Sequence, residues 1–209
     1  YDLNITRKAL LQSKQWFYEN DVSAVIVNGD IGINDSSLLG IFDVLGKWKI
    51  PVFVIMGNNE STKSFHRAFA IKSRMYPNLF NLDVIRHVVF EQAQFFSLPG
   101  YYNPQLLHAE DGCVYDDEDI EEFENIIQLS DSNIPSVIVS HGPPQGYHPQ
   151  AIDYVPEVGN VGDRQINTLI TKFQFPFGIF AHISEAGGKA TDLNGLIMYE
   201  ENKDLSSFY

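Results

Sequence analysis

Four residues of the chain combine types and positions suited to holding a metal ion: Asp30, Asn58, His141 and His182. Each follows an apolar run rich in β-branched or aromatic residues: Ala24 to Val27, Val52 to Met56, Val137 to Val139, and Phe177 to Ala181. Such runs read as strands covered on both faces. Ligands of open α/β sheets bind in the crevice beyond the strand ends. A carboxylate, an amide oxygen and two imidazoles suit Mn²⁺, Fe or Zn²⁺ better than Ca²⁺. Taken singly, Asp30 and Asn58 after glycine read as turns, His141 as a loop cap and His182 as a core histidine. Together they define one crevice with the donor chemistry of a transition-metal site.

The elements that must position these residues follow from pattern. Helices are expected over 5–20, 36–48, 61–75, about 118–130 and 163–172, from caps and apolar spacing. Asp30 and Asn58 lie one strand–helix–strand unit apart, so a right-handed crossover places them on one edge of a parallel sheet. Val84 to Phe90 and Ala93 to Leu98 read as an antiparallel pair turning at Glu91-Gln92. The run Asp116-Asp117-Glu118-Asp119 is an acidic helix start, favoured by the helix dipole, and lacks the spacing and glycine of a calcium loop. Residues 145–162 read as an irregular loop bordering the site. A last strand is expected near Gly195 to Tyr199. No repeat or linker divides the chain, which reads as one α/β domain over 1–209.

Bulk properties narrow the function. The chain has 209 residues and a net charge of −13. An acidic surface repels nucleic-acid phosphates, so no duplex nucleic acid is expected as a partner. A small phosphate ester is still compatible, because bound metal ions invert the local charge. Cys113 is the single cysteine, which excludes an intrachain disulfide and a thiolate cluster. No apolar run approaches a membrane span, and no basic-then-apolar leader opens the chain, so the expectation is no membrane partner and a cytoplasmic location.

The ordered segments Gly29-Asp30, Gly57-Asn58-Asn59-Glu60, Ser140-His141-Gly142 and Ala181-His182-Ile183-Ser184 resemble the motifs of calcineurin-like metallophosphoesterases, in particular the small phosphodiesterase-like branch. The resemblance runs from about residue 22 to 190. It implies a two-layered β core (a β-sandwich) flanked by helices, and a two-metal site that clamps a phosphate and activates water. On that resemblance Asp30 bridges the metals, and Asn58, His141 and His182 complete one of the two sites.

Three departures accompany the matches. Where the family carries Asp-x-His after a first strand, this chain begins Tyr1-Asp2-Leu3-Asn4, so it is expected to lack a first strand and the extreme C-terminus. Ser184 replaces the last histidine, a poorer ligand for the other metal. Asn59 replaces the histidine that protonates the leaving group; it can hydrogen-bond a phosphate oxygen but cannot deliver a proton. The resemblance therefore implies a metal-dependent phosphodiesterase for small or nucleotide-like phosphate esters. The alternative is an impaired, phosphoesterase-like scaffold that binds protein partners, as the retromer subunit of this superfamily does. A nucleotide-binding α/β domain is disfavoured because no glycine-rich phosphate loop is present.

Overall fold

The structure is a computed structural model and describes residues 3–199. Asp2, the side chain of Asn4 and residues 200–209, including Tyr209, lie outside the described residues, and with them the expectations for the first motif and the C-terminus.

In chain order the elements are α1 (Leu3–Glu19), β1 (Val25–Asn28), α2 (Asp35–Gly46), β2 (Val52–Ile55), α3 (Thr62–Ser73), β3 (Leu79–Asn81), β4 (His87–Phe90), β5 (Ala93–Leu98), α4 (Asp117–Gln128), β6 (Ser136–Ser140), β7 (Tyr154–Val155), β8 (Gly159–Asn160), α5 (Arg164–Phe173), β9 (Phe177–Ile179), β10 (Ala190–Thr191) and β11 (Met198–Tyr199). One sheet runs β1-β2-β3, all parallel; a second runs β4-β5-β6-β9, with β4 antiparallel to β5 and the rest parallel. β7-β8 and β10-β11 are small hairpins.

The two sheets stack face to face, as the alternation of side chains shows. Successive residues of a strand point to opposite faces. In β2, Val52 and Val54 pack into the layer shared with α2 and α3, around Leu38, Phe42 and Phe65. Phe53 and Ile55 point the other way and meet Val137 and Val139 of β6. On the far side of the second sheet, Phe96, Leu98 and Ile138 pack with Phe123 of α4 and Ile166 and Leu169 of α5. The order of layers is helices, sheet, sheet, helices, the two-layered core flanked by helices that the resemblance implies.

Helix starts match their chemistry. Asn34 caps α2 with a reciprocal bond to Ser37, and Asp116 caps α4 by accepting from the Glu118 and Asp119 amides. The acidic run is thus a helix start. Three expectations need correction. β3 is absent from the expected elements; its three residues are too few to show a period. The strand expected over 84–90 begins only at His87, because Asn81 accepts from the Asp83 and Ile85 amides and folds that stretch into a turn. The loop 145–162 contains the β7-β8 hairpin. The Glu91-Gln92 turn is present, with Glu91 at φ 52°.

Candidate metal centre

β1 and β2 are parallel neighbours with Asn28 in register with Ile55, so Asp30 and Asn58 leave the same edge of one sheet. β6 and β9 do the same for His141 and His182 in the second sheet. Stacking of the sheets brings the two pairs of strand ends together. All four sequence-expected ligands meet. Nε2 of His141 and Nδ1 of His182 each lie 3.1 Å from Oδ1 of Asn58, and 3.3 Å from one another. Oδ1 of Asp30 lies 3.4 Å from Nε2 of His141. Asp30, His141 and His182 offer donor atoms within 4.8 Å of each other.

Local backbone serves this convergence. Asp30 and His182 adopt left-handed conformations, with φ of 57° and 65°. That is costly for residues with a side chain and is characteristic of functional sites. Gly57 carries no Cβ because one would stand 2.5 Å from Oδ1 of Asp30 and 2.7 Å from Cε1 of His141.

The orientation of each donor can be read from its other partners. Nδ1 of His141 lies 2.8 Å from the carbonyl of Asn28, which can only accept, so Nδ1 carries the proton. In the neutral ring Nε2 is then a lone pair facing the site. Asn58 Nδ2 donates to the Leu106 carbonyl at 2.5 Å, which turns Oδ1 toward the histidines. Lone pairs of Asn58, His141 and Asp30 thus face one another, with Nδ1 of His182 beside the first two. A cation, or a proton on an imidazole, resolves that arrangement. The residues fit a divalent metal, and an outer partner fixing a ligand histidine is the usual support for one.

Without a cation, the charges describe the second of these resolutions, a proton on His141 facing the Asp30 carboxylate. Burial opposes the charged form of Asp30, but hydrogen bonding to His141, its charge, the Asn59 amide and His182 hold its pKa below the ordinary value. Burial would push His141 down, yet the Asp30 carboxylate raises it above the ordinary value. His182 is lowered, first by burial and then by His141.

Asn59, expected to touch the phosphate, is half-buried beside the centre; its amide donates to Oδ1 of Asp30 at 3.2 Å. Ser184 is exposed, and its hydroxyl donates to Glu185 at 3.1 Å. The basic residues of α3 include Arg67 and Lys72, which pair with Asp35 and Asp43 of α2. An apolar cleft of about 930 Å³ opens beside Ala24, Ile26, Phe53 and Ile179 and is lined by none of Asp30, Asn58, His141 and His182.

Two residues matter here that pattern alone did not single out. Glu60 is fully buried; Oε1 accepts from the amides of Ile31 and Gly32, and Oε2 from that of Gly57. It binds the turn after β1 to the turn after β2. Tyr101, also fully buried, lays its ring against His182. Glu60 closes the segment Gly57-Asn58-Asn59-Glu60 and Tyr101 adjoins Tyr102 in the chain, but neither role has a local signature.

A family model for calcineurin-like phosphoesterases matches residues 3–184. The chain belongs to that family. Members of the family are metal-dependent phosphoester hydrolases. One solved structure is similar over 90% of this chain and 83% of its own, with 19% identity and a TM-score of 0.72. The protein TT1561 of Thermus thermophilus is similar over 88% and 77%, with 14% identity and a TM-score of 0.66. The phosphopantetheinyl hydrolase PptH of Mycobacterium tuberculosis is similar over 82% and 76%, with 12% identity and a TM-score of 0.58. At these identities the likeness is one of fold. No curated protein sequence matches the chain. Among the described residues, no helix is long and apolar enough to cross a membrane.

Proposed function

We propose that this calcineurin-like phosphoesterase is a metal-dependent phosphodiesterase acting on small or nucleotide-like esters with good leaving groups, in a cytoplasmic setting. The observation that carries the metal reading is the convergence of lone pairs of Asp30, Asn58 and His141 with Nδ1 of His182. These four residues would hold a divalent transition metal, with Mn²⁺ the first ion to test. A bound metal there supplies a Lewis acid for a phosphoryl oxygen and an acidified water as nucleophile.

The protein's own groups do the rest. Asp30 contributes the negative charge that balances the cation, and the Asn59 amide fixes its Oδ1. His141 is held in one tautomer by Asn28. The Asn59 carboxamide can donate a hydrogen bond to a phosphoryl oxygen but cannot protonate a leaving group. Leaving groups that depart as stable anions are therefore favoured over alkoxides. General acid catalysis is typically worth ~10²–10⁴-fold, so its loss at position 59 selects among substrates without removing the chemistry.

The test is hydrolysis of a bis-aryl phosphodiester by the full chain with and without Mn²⁺. Metal-dependent release of the aryl alcohol, abolished in Asp30→Ala, is expected. A wild-type chain that releases none under any of Mn²⁺, Fe²⁺ or Zn²⁺ overturns the enzyme reading and favours a scaffold.

A further inference from the structure

The two histidines of the centre are oriented by different means. His141 has a hydrogen-bonded support, the carbonyl of Asn28 at 2.8 Å from Nδ1. Among the described residues His182 has no such support: its hydrogen-bonding contacts are those of Nδ1 toward Asn58 and His141, inside the centre itself. Its backbone is no substitute. β9 ends at Ile179, and His182 stands beyond it in a left-handed conformation.

The Tyr101 ring occupies the place of that support. Its centroid lies 4.4 Å from that of His182, at an interplanar angle of 38°, and 6.2 Å from that of His141. Tyr101 is itself firmly held. Its amide donates to the Cys113 carbonyl at 3.0 Å, and its carbonyl accepts from the Tyr115 amide at 3.4 Å. Gly142 leaves room for the ring, since a Cβ there would stand 2.7 Å from Cε2 of Tyr101. The ring of Tyr102 lies 4.9 Å from it on another side. The Tyr101 hydroxyl is buried and has no hydrogen-bond partner among the described residues. No hydrogen bond from that oxygen to the described residues holds the ring in place. What the site uses is the plane of the ring.

We infer that Tyr101 is the positioning residue for His182, its ring holding the imidazole so that Nδ1 faces Asn58 and His141. The inference rests on the reading of His182 as a metal ligand, but the orientation it describes exists with or without a metal. The side chain acts through the His182 ring. Hydrogen-bonding outer partners that orient a ligand typically account for 10–100-fold in metal affinity, and that range scales the effect expected of the ring.

The experiment compares full-length wild type, Tyr101→Phe and Tyr101→Leu by calorimetric titration with Mn²⁺ and by proton NMR of the metal-free chains. Y101F is expected to bind Mn²⁺ as wild type does and to melt no lower. Y101L is expected to bind about 10–100-fold more weakly. The His182 ring protons are expected to show an upfield ring-current shift in wild type and Y101F that Y101L lacks. Should Y101L fail to fold, Tyr101→Met, which fills the space without a ring, takes its place. Equal Mn²⁺ affinity in Y101L, or equal weakening in Y101F and Y101L, overturns the inference. If wild type itself takes up no metal, the metal reading fails and the NMR arm decides alone: no ring-current shift at His182 overturns the role of Tyr101, and its presence upholds it.

Discussion

Nδ1 of His141 sits 2.8 Å from the carbonyl oxygen of Asn28, a contact that joins the end of β1 in one sheet to the end of β6 in the other. The Asn28 side chain reinforces it by donating to the carbonyls of Ser140, at 2.9 Å, and Ile179, at 3.2 Å. One residue thus fixes the tautomer of His141 and the relative height of three strands.

That approach depends on Gly29. Its φ is 81°, and a Cβ would stand 2.5 Å from Nδ1 of His141. Gly29→Ala is expected to cost about 1–2 kcal/mol from the backbone alone, and to push the imidazole off Asn28. At roughly 2–4 °C per kcal/mol for a chain of this size, the melting temperature falls by several degrees. Calorimetric titration with Mn²⁺ is expected to show affinity lost along with it. Unchanged affinity in a less stable G29A would mean that the Asn28 contact does not orient the ligand.

Glu60 makes a second prediction. Its carboxylate accepts three backbone amides, from Ile31, Gly32 and Gly57, with no solvent exposure. Burial raises its pKa, and the charge of Asp30 adds to that, against the three amides. Glu60→Gln keeps the shape but turns an NH₂ group toward at least one N–H. A buried donor left unpaired costs about 1–3 kcal/mol. The urea midpoint of E60Q is therefore expected to fall with no change in slope. A midpoint at or above that of wild type would show that relief of the buried charge outweighs the lost acceptor.

The strand ends were legible because β-branched runs stop at Gly-Asp, Gly-Asn and two histidines, all of them local patterns. The second sheet was not legible from period. Val52 and Phe53 are both apolar, so nothing in the run says that one meets helices and the other a second sheet. That layer came from the family resemblance. Glu60 and Tyr101 were illegible for a related reason: their partners are backbone amides and a ring brought close only when two sheets stack. The late start of β4 reflects competition that a run of apolar residues hides, since Val84 and Ile85 are taken by the turn on Asn81.

Asp83 predicts a pH dependence of stability. Burial is the main cause that raises its pKa to about 7, and the charge of Glu60 adds to it, while the Met56 amide and Arg86 oppose. Oδ1 accepts from that amide at 2.9 Å; Oδ2 is buried without a hydrogen bond, with His66 Nε2 at 3.9 Å. A carboxyl raised on folding binds its proton more tightly in the native state. Its contribution is complete below the unfolded value of 3.8 and is lost as pH rises toward about 7. The loss is on the order of a few kcal/mol. Melting temperatures measured from pH 5 to 9 are expected to decline for wild type relative to Asp83→Asn, the two curves running parallel above about pH 8. Parallel curves throughout would mean that Asp83 stays ionised in the fold.

The last prediction restores what position 59 lacks. Asn59 is half-buried next to the centre, with its amide on Asp30. That contact is made by the backbone, so Asn59→His can keep it. An imidazole there can carry a proton to a departing oxygen, which a carboxamide cannot. The gain falls only on substrates that need the proton. For an alkyl phosphodiester, N59H is expected to raise Mn²⁺-dependent kcat/KM by ~10²–10⁴-fold. For a bis-aryl phosphodiester, whose leaving group departs as a stable anion, little change is expected. The measurement is the ratio of the two rates in wild type and variant. An equal effect on both esters would show that the side chain at 59 acts on binding or on the metal rather than on the leaving group.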